Sequence, residues 1–116
     1  MSSSPPVIAC DLGALSAGER EHRATLAQTL VAQAAAVREL PDGYALRLDG
    51  TAPLARASLD WLLLERRCCP FLRLELELEP EDGPLWLRLR GGAGVKEFLA
   101  GAGLASRSAD ATARCC

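Results

Sequence analysis

The chain has 116 residues, of which 49% are apolar and 24% charged, the balance of one small globular domain. Its formal net charge of −2 excludes a general nucleic-acid role, because that role needs a dense basic surface. The apolar runs are only a few residues long, against about 20 for a membrane-spanning helix, and residues 1–6 lack the features of a signal peptide. We therefore expect a cytoplasmic protein with neither a membrane nor a nucleic-acid partner.

The first part of the chain predicts a short leader and a helix. We interpret residues 1–6 as a flexible N-terminus and residues 7–12 as a short strand or an extended arm. Ser16 followed by Glu19 is typical of a capping box, in which each side chain accepts a hydrogen bond from an unpaired backbone N–H group. A helix is therefore predicted over residues 19–35, with its leucines on one apolar stripe.

Two hairpins and two further helices complete the predicted pattern. Turn residues occur at Pro41-Asp42-Gly43 and again around Gly83. They separate runs in which leucines alternate with polar residues, as in half-buried strands. Pro70 cannot continue a helix and ends the one before it. The predicted elements are strands at 37–40 and 44–49, a helix from residues 51–53 to the cysteine pair, strands at 71–79 and 85–90, and a helix at 95–100.

The order helix, hairpin, helix, hairpin, helix predicts an α+β fold. We expect a two-layer sandwich, in which a mostly antiparallel four-stranded sheet carries the helices on one face. A single domain would cover residues 7–100, followed by a mobile tail at 101–116 that ends in two cysteines. The polar face of the last hairpin, with Trp86 at its centre, is either solvated or the surface of a homodimer.

The five cysteines, Cys10, Cys68, Cys69, Cys115 and Cys116, are the main chemical signal. In a reducing compartment, cysteine clusters more often indicate metal or redox chemistry than structural disulfides. Thiolates prefer soft ions such as Hg(II), Cu(I) or As(III). No Cys-x-x-Cys spacing is present, which disfavours a zinc ribbon or a thioredoxin-type motif. A zinc site formed by the two adjacent cysteine pairs is a further possibility, although neighbouring residues are poorly placed to bind one ion with tetrahedral geometry.

The inner pair, Cys68 and Cys69, lies where the second predicted helix ends. The negative end of the helix dipole should raise a thiol pKa there, while Arg66, Arg67 and Arg73 should favour the thiolate. The sequence does not decide which of these two effects on the thiol pKa is larger. Cys68 could equally be a small core residue on the apolar stripe of the helix. The terminal pair, in a polar tail, has no such core role.

Two resemblances add to this interpretation. The segments Glu65-Arg66-Arg67-Cys68-Cys69-Pro70-Phe71, Gly83–Leu89 and Gly94–Leu99 resemble a group of small uncharacterised bacterial proteins over about residues 10–100, which implies a common fold. The terminal Cys115-Cys116 pair is similar to the cysteines near the C-terminus of mercuric reductases, where a mobile tail passes Hg(II) to an inner pair. This second resemblance implies a relay, in which Cys115 and Cys116 capture the ion and Cys68 and Cys69 receive it.

The favoured hypothesis is therefore a small thiol protein that binds or relays a soft metal ion, with Hg(II) preferred and Cys10 as a third ligand. Its partner would be the ion or a small thiol. One alternative is a thiol–disulfide redox protein. Another is an enzyme that cleaves a carbon–mercury bond, with Asp11 or Asp60 as the acid. The last is a structural or dimerisation module with incidental cysteines. We expect the single histidine, His22, at the surface.

Overall fold

The computed structural model describes residues 11–104 of the chain. The predictions for residues 1–10 and 105–116, including those for Cys10, Cys115 and Cys116, lie outside this range. The elements in chain order are a short 3-10 helix Leu12–Ala14, α1 Ala17–Gln33, β1 Ala36–Leu40, β2 Gly43–Leu48, α2 Ala52–Cys68, β3 Arg73–Leu78, β4 Leu85–Arg90 and α3 Val95–Gly101.

Side-chain caps fix the starts of the two long helices. The Glu19 N–H donates to the Ser16 hydroxyl at 3.1 Å, and the Ser16 N–H donates to the Glu19 carboxylate at 2.9 Å. The predicted capping box is thus confirmed, and α1 begins two residues earlier than predicted, at Ala17. Thr51 caps α2 in the same manner, accepting from the Leu54 N–H. Both long helices therefore begin where short polar side chains replace the missing backbone acceptors.

The four strands form one antiparallel sheet in the order β1-β2-β4-β3. The helices pack on one face of it, and their leucines share a core with the leucines of the central strands β2 and β4. The predicted α+β fold is confirmed. Leu87 at the centre of β4 is fully buried, whereas Leu74 and Leu76 on β3 are only half-buried. The difference in burial arises because β3 is an edge strand, with β4 as its only neighbouring strand among residues 11–104.

The opposite face of the sheet is polar and carries complementary charges. Arg88 pairs with Glu77 at 2.6 Å, and Arg90 pairs with Glu75 at 3.2 Å. The predicted pairing between the acidic and basic strands is therefore confirmed. The Trp86 ring lies on this face with the Arg88 guanidinium 5.9 Å from its centroid, and its indole N–H donates to Glu79. Whether this face forms a homodimer stays a prediction.

The fold continues slightly beyond the predicted end of the domain at residue 100. α3 extends to Gly101, and Leu104 is buried in the main core. Among residues 11–104, no helix combines the length and the apolarity that a membrane crossing requires.

Candidate functional site

The last turn of α2 holds the two adjacent cysteines by their backbones. The Cys69 N–H donates to the Glu65 carbonyl at 2.7 Å, and the Cys69 carbonyl accepts from the Leu72 N–H at 3.1 Å. The Cys68 carbonyl accepts from the Asp11 N–H at 2.6 Å. Pro70 has no N–H to extend the helix, so the chain turns into β3 immediately after the pair. Both cysteines are therefore positioned by hydrogen bonds on either side of the helix end.

The segment before α1 covers this pair. Leu15 packs against both cysteines in a small apolar cluster that is separate from the main core. Arg67 holds the cover in place, because its guanidinium donates to the Glu19 carboxylate at 2.7 Å and to the Ala14 carbonyl at 3.1 Å. As a result, neither cysteine side chain has any exposed surface within the described structure.

The two sulfur atoms lie 3.5 Å apart. Cys68 is a free thiol, and Cys69 is disulfide-bonded. The bond is not formed with Cys68, since sulfurs in a disulfide are only about 2.05 Å apart. The site thus places a free thiol in contact with a disulfide sulfur.

A carboxylate adjoins the sulfurs. Ligand atoms of Glu65, Cys68 and Cys69 all lie within 4.8 Å of one another, and all three residues are buried. Glu65 also forms an ion pair of 2.8 Å with Arg23 of α1. Once the Cys69 disulfide is reduced, these three residues are a potential metal-binding group with two soft donors and one hard donor.

Burial dominates the electrostatics of the site. It raises the pKa of the Cys68 thiol above its usual value, Arg23 opposes this effect, and the negative charge of Glu65 adds to it. Burial likewise raises the pKa of Glu65 and outweighs the attraction of Arg23. At neutral pH Cys68 is therefore mainly a protonated thiol, and a metal ion would have to displace its proton.

The structure brings together only part of the predicted site. Cys68 and Cys69 meet as expected, while Cys10, Cys115 and Cys116 lie outside the described residues. Arg67, expected to favour the thiolate, is paired with Glu19. Arg73 is paired with Glu75, and Arg66 is exposed. The cation that opposes the rise in the pKa of Cys68 is Arg23.

The two proposed acids for carbon–mercury cleavage are both exposed. Asp11 caps the 3-10 helix by accepting from the Gly13 N–H, and Asp60 is exposed on α2. The carboxylate beside the sulfurs is Glu65 instead. His22 is exposed on α1, as expected.

The sequence interpretation missed Glu65 and Arg23. Glu65 precedes Cys68 by three positions and Cys69 by four, the spacing that places side chains on one face of a helix, so this signal was present. Arg23 is 42 positions from Glu65 in the printed sequence, and only the packing of α1 on α2 brings them together. No local pattern could have found it.

Comparisons with protein-family models, with curated proteins and with solved structures gave no match to this chain.

Proposed function

We propose that the reduced protein binds a soft metal ion through Cys68 and Cys69, with Hg(II) favoured by the resemblance of the terminal cysteines and Cu(I) or As(III) as the other candidates. The observation that carries the proposal is the buried group of two sulfurs and one carboxylate within 4.8 Å. Soft ions take thiolate ligands in preference to oxygen, and backbone hydrogen bonds hold the main chain of both cysteines in place. Such a protein would serve to sequester or pass on a toxic ion.

The sulfur spacing bears on the coordination number. If the sulfurs keep their 3.5 Å spacing after the Cys69 disulfide is reduced, metal–sulfur bonds of about 2.3 Å, as in zinc sites, give an angle of about 100° at the ion. A two-coordinate ion prefers an angle near linearity, so this spacing supports a third ligand. Glu65 is the donor beside the pair, and Cys10 remains the third ligand expected from the sequence. A pyramidal three-coordinate ion such as As(III) suits this angle.

The test is a titration of the fully reduced protein with As(III), Cu(I) and Hg(II), each in the presence of a competing monothiol. Ligand-to-metal absorption in the ultraviolet reports binding. We expect one ion per chain to be retained against the competitor, and Cys68→Ser and Cys69→Ser each to lose it. The matched control, Cys115→Ser with Cys116→Ser, should keep the inner site. Undiminished affinity in Cys68→Ser would refute the proposal.

A second candidate, thiol–disulfide exchange, is favoured by the contact between the free thiol and the disulfide sulfur. The Cys68 thiolate would attack the Cys69 sulfur, a Cys68–Cys69 bond would form, and the former partner sulfur would leave as a thiolate. The raised pKa of Cys68 makes this attack slow at neutral pH and faster as the pH rises.

Disulfide mapping by mass spectrometry separates the two candidates. During incubation with a small dithiol, the exchange function predicts a transient Cys68–Cys69 bond and turnover that Cys68→Ser abolishes. Turnover that is unchanged in Cys68→Ser would exclude it.

A further inference from the structure

A cavity of about 270 Å³ lies beside the cysteine pair, between the helices and the sheet. It is bounded by all three helices, by β4 and by the residue before β3. Its walls are largely apolar, and they include Ala27, Val31, Leu72, Leu89, Phe98 and Leu99. An apolar cavity of about 150 Å³ already admits benzene, so this one has room for a single ring with a short substituent.

One end of the cavity is polar and consists of Arg23, Trp61 and Glu65. The Trp61 Nε1 and the Arg23 Nε are both buried, and neither forms a hydrogen bond of good geometry among residues 11–104. Trp61 is only 6% exposed. The nearby Glu65 carboxylate pairs with the terminal Arg23 nitrogen at 2.8 Å, and its interaction with the Trp61 N–H is the smallest of the effects that lower its pKa. Buried N–H donors without a well-aligned acceptor are rare in folded proteins and costly, so an acceptor in the cavity would satisfy two poorly bonded donors.

The charge of the site restricts the ligand. Arg23 and Glu65 neutralise each other as an ion pair, so a charged ligand would leave one buried charge without a partner. A neutral oxygen acceptor satisfies the donors without this cost. The apolar walls favour a hydrocarbon body on the same molecule.

We propose that this cavity binds a small, neutral, mainly apolar molecule with a carbonyl oxygen, which accepts hydrogen bonds from the Trp61 indole N–H and the Arg23 Nε–H. The hydrocarbon part lies against Val31, Leu89 and Phe98. The cavity shares Glu65 with the proposed metal site, but no cysteine among the described residues lines it and binding of the molecule requires no metal ion.

The test compares acetophenone with ethylbenzene, which have similar shapes but differ in the carbonyl oxygen. The readout is the pair of tryptophan indole N–H signals in a ¹H–¹⁵N spectrum, assigned with Trp86→Phe. We expect acetophenone to shift the Trp61 signal and to leave Trp86 unmoved, since Trp86 donates to Glu79 on the other face of the sheet. Ethylbenzene should bind about thirtyfold more weakly, the equivalent of two hydrogen bonds at about fivefold each.

Two variants separate the polar from the apolar part of the site. Trp61→Phe keeps an aromatic ring and removes the N–H, so the preference for acetophenone, followed through the ligand signals, should fall at least threefold. Ala27→Leu fills the cavity and should weaken both compounds, whereas Ala24→Leu, the same change at an exposed position of α1, should weaken neither. Melting curves verify that each variant is folded.

The proposal is overturned if neither compound shifts the Trp61 signal at millimolar concentration, as expected if the cavity holds only water. It is equally overturned if both compounds bind the unaltered protein with the same affinity. Full retention of the acetophenone preference in folded Trp61→Phe would exclude the indole as the donor.

Discussion

The Glu19 carboxylate joins the start of α1 to the end of α2. It accepts from the Ser16 N–H at the start of α1 and from the Arg67 guanidinium at the end of α2. These bonds, that of Arg67 above all, lower the pKa of Glu19 from 4.5 to about 2. Because the same Arg67 also holds the Ala14 carbonyl, this exposed pair fastens the cover over the buried cysteines.

The lowered pKa predicts a pH-dependent contribution to stability. The carboxylate is charged in the folded state down to about pH 2, so its contribution is present above pH 4.5 and is lost as the pH falls toward 2. Glu19→Gln should therefore reduce the free energy of unfolding at pH 6, and its difference from the unaltered protein should shrink toward pH 2. Urea denaturation at several pH values measures this, with the exposed Glu21→Gln as the control. A difference independent of pH would show that the charge of Glu19 is not involved.

At the scale of elements, the position of a strand in the sheet decides what its leucines contribute. Leu87 on the central strand β4 is fully buried, whereas Leu78 on the edge strand β3 is 58% exposed. The two strands have the same alternating pattern in the sequence. Their different burial follows from the order β1-β2-β4-β3, which leaves β3 with a neighbour on one side only.

Truncation of these two leucines should therefore have very different effects. Leu87→Ala removes buried methyl groups and leaves a cavity, which should cost about 2–5 kcal/mol of unfolding free energy. Leu78→Ala should change it by about 0.5 kcal/mol or less. Chemical denaturation followed by circular dichroism compares the two variants. Equal losses would mean that β3 is not at the edge of the sheet in solution.

At the scale of the whole molecule, the proposed relay depends on whether the two terminal cysteines act with the inner pair. The relay hypothesis predicts that Cys115 and Cys116 capture the ion and raise the local supply of thiols beside Cys68 and Cys69. The inner pair is fully buried, and thiols on the same chain would deliver an ion to it faster than a donor in solution because their effective concentration is higher.

Replacement of Cys115 and Cys116 by serine should therefore slow metal transfer from a small thiol donor to the inner pair, while the equilibrium affinity falls less than the rate. Stopped-flow absorption with the reduced protein measures both quantities. Cys10→Ser is a useful comparison, because it alters a cysteine that the hypothesis assigns to coordination instead of capture. Equal transfer rates with and without the terminal cysteines would leave them no role in a relay.

Local signals in the sequence determined the elements and their order. The Ser16–Glu19 capping box, Thr51, Pro70 and the alternating leucines act over a few residues, so their effect is visible without a fold. The adjacency of Cys68 and Cys69 is likewise covalent, and the charges of β3 and β4 predicted their pairing. All of these features could be predicted from backbone geometry and from the hydrogen-bonding capacity of nearby side chains.

Tertiary structure decided what surrounds the cysteines. The contact of Arg23 with Glu65 joins two helices whose sequences give no sign of their mutual orientation, and the cover of Leu15 over the pair depends on the path of the chain before α1. The cavity with its two poorly bonded donors exists only where three helices meet the sheet. Burial, and with it the raised pKa of Cys68, is a property of this packing, because the loss of water around a group depends on everything that approaches it in space.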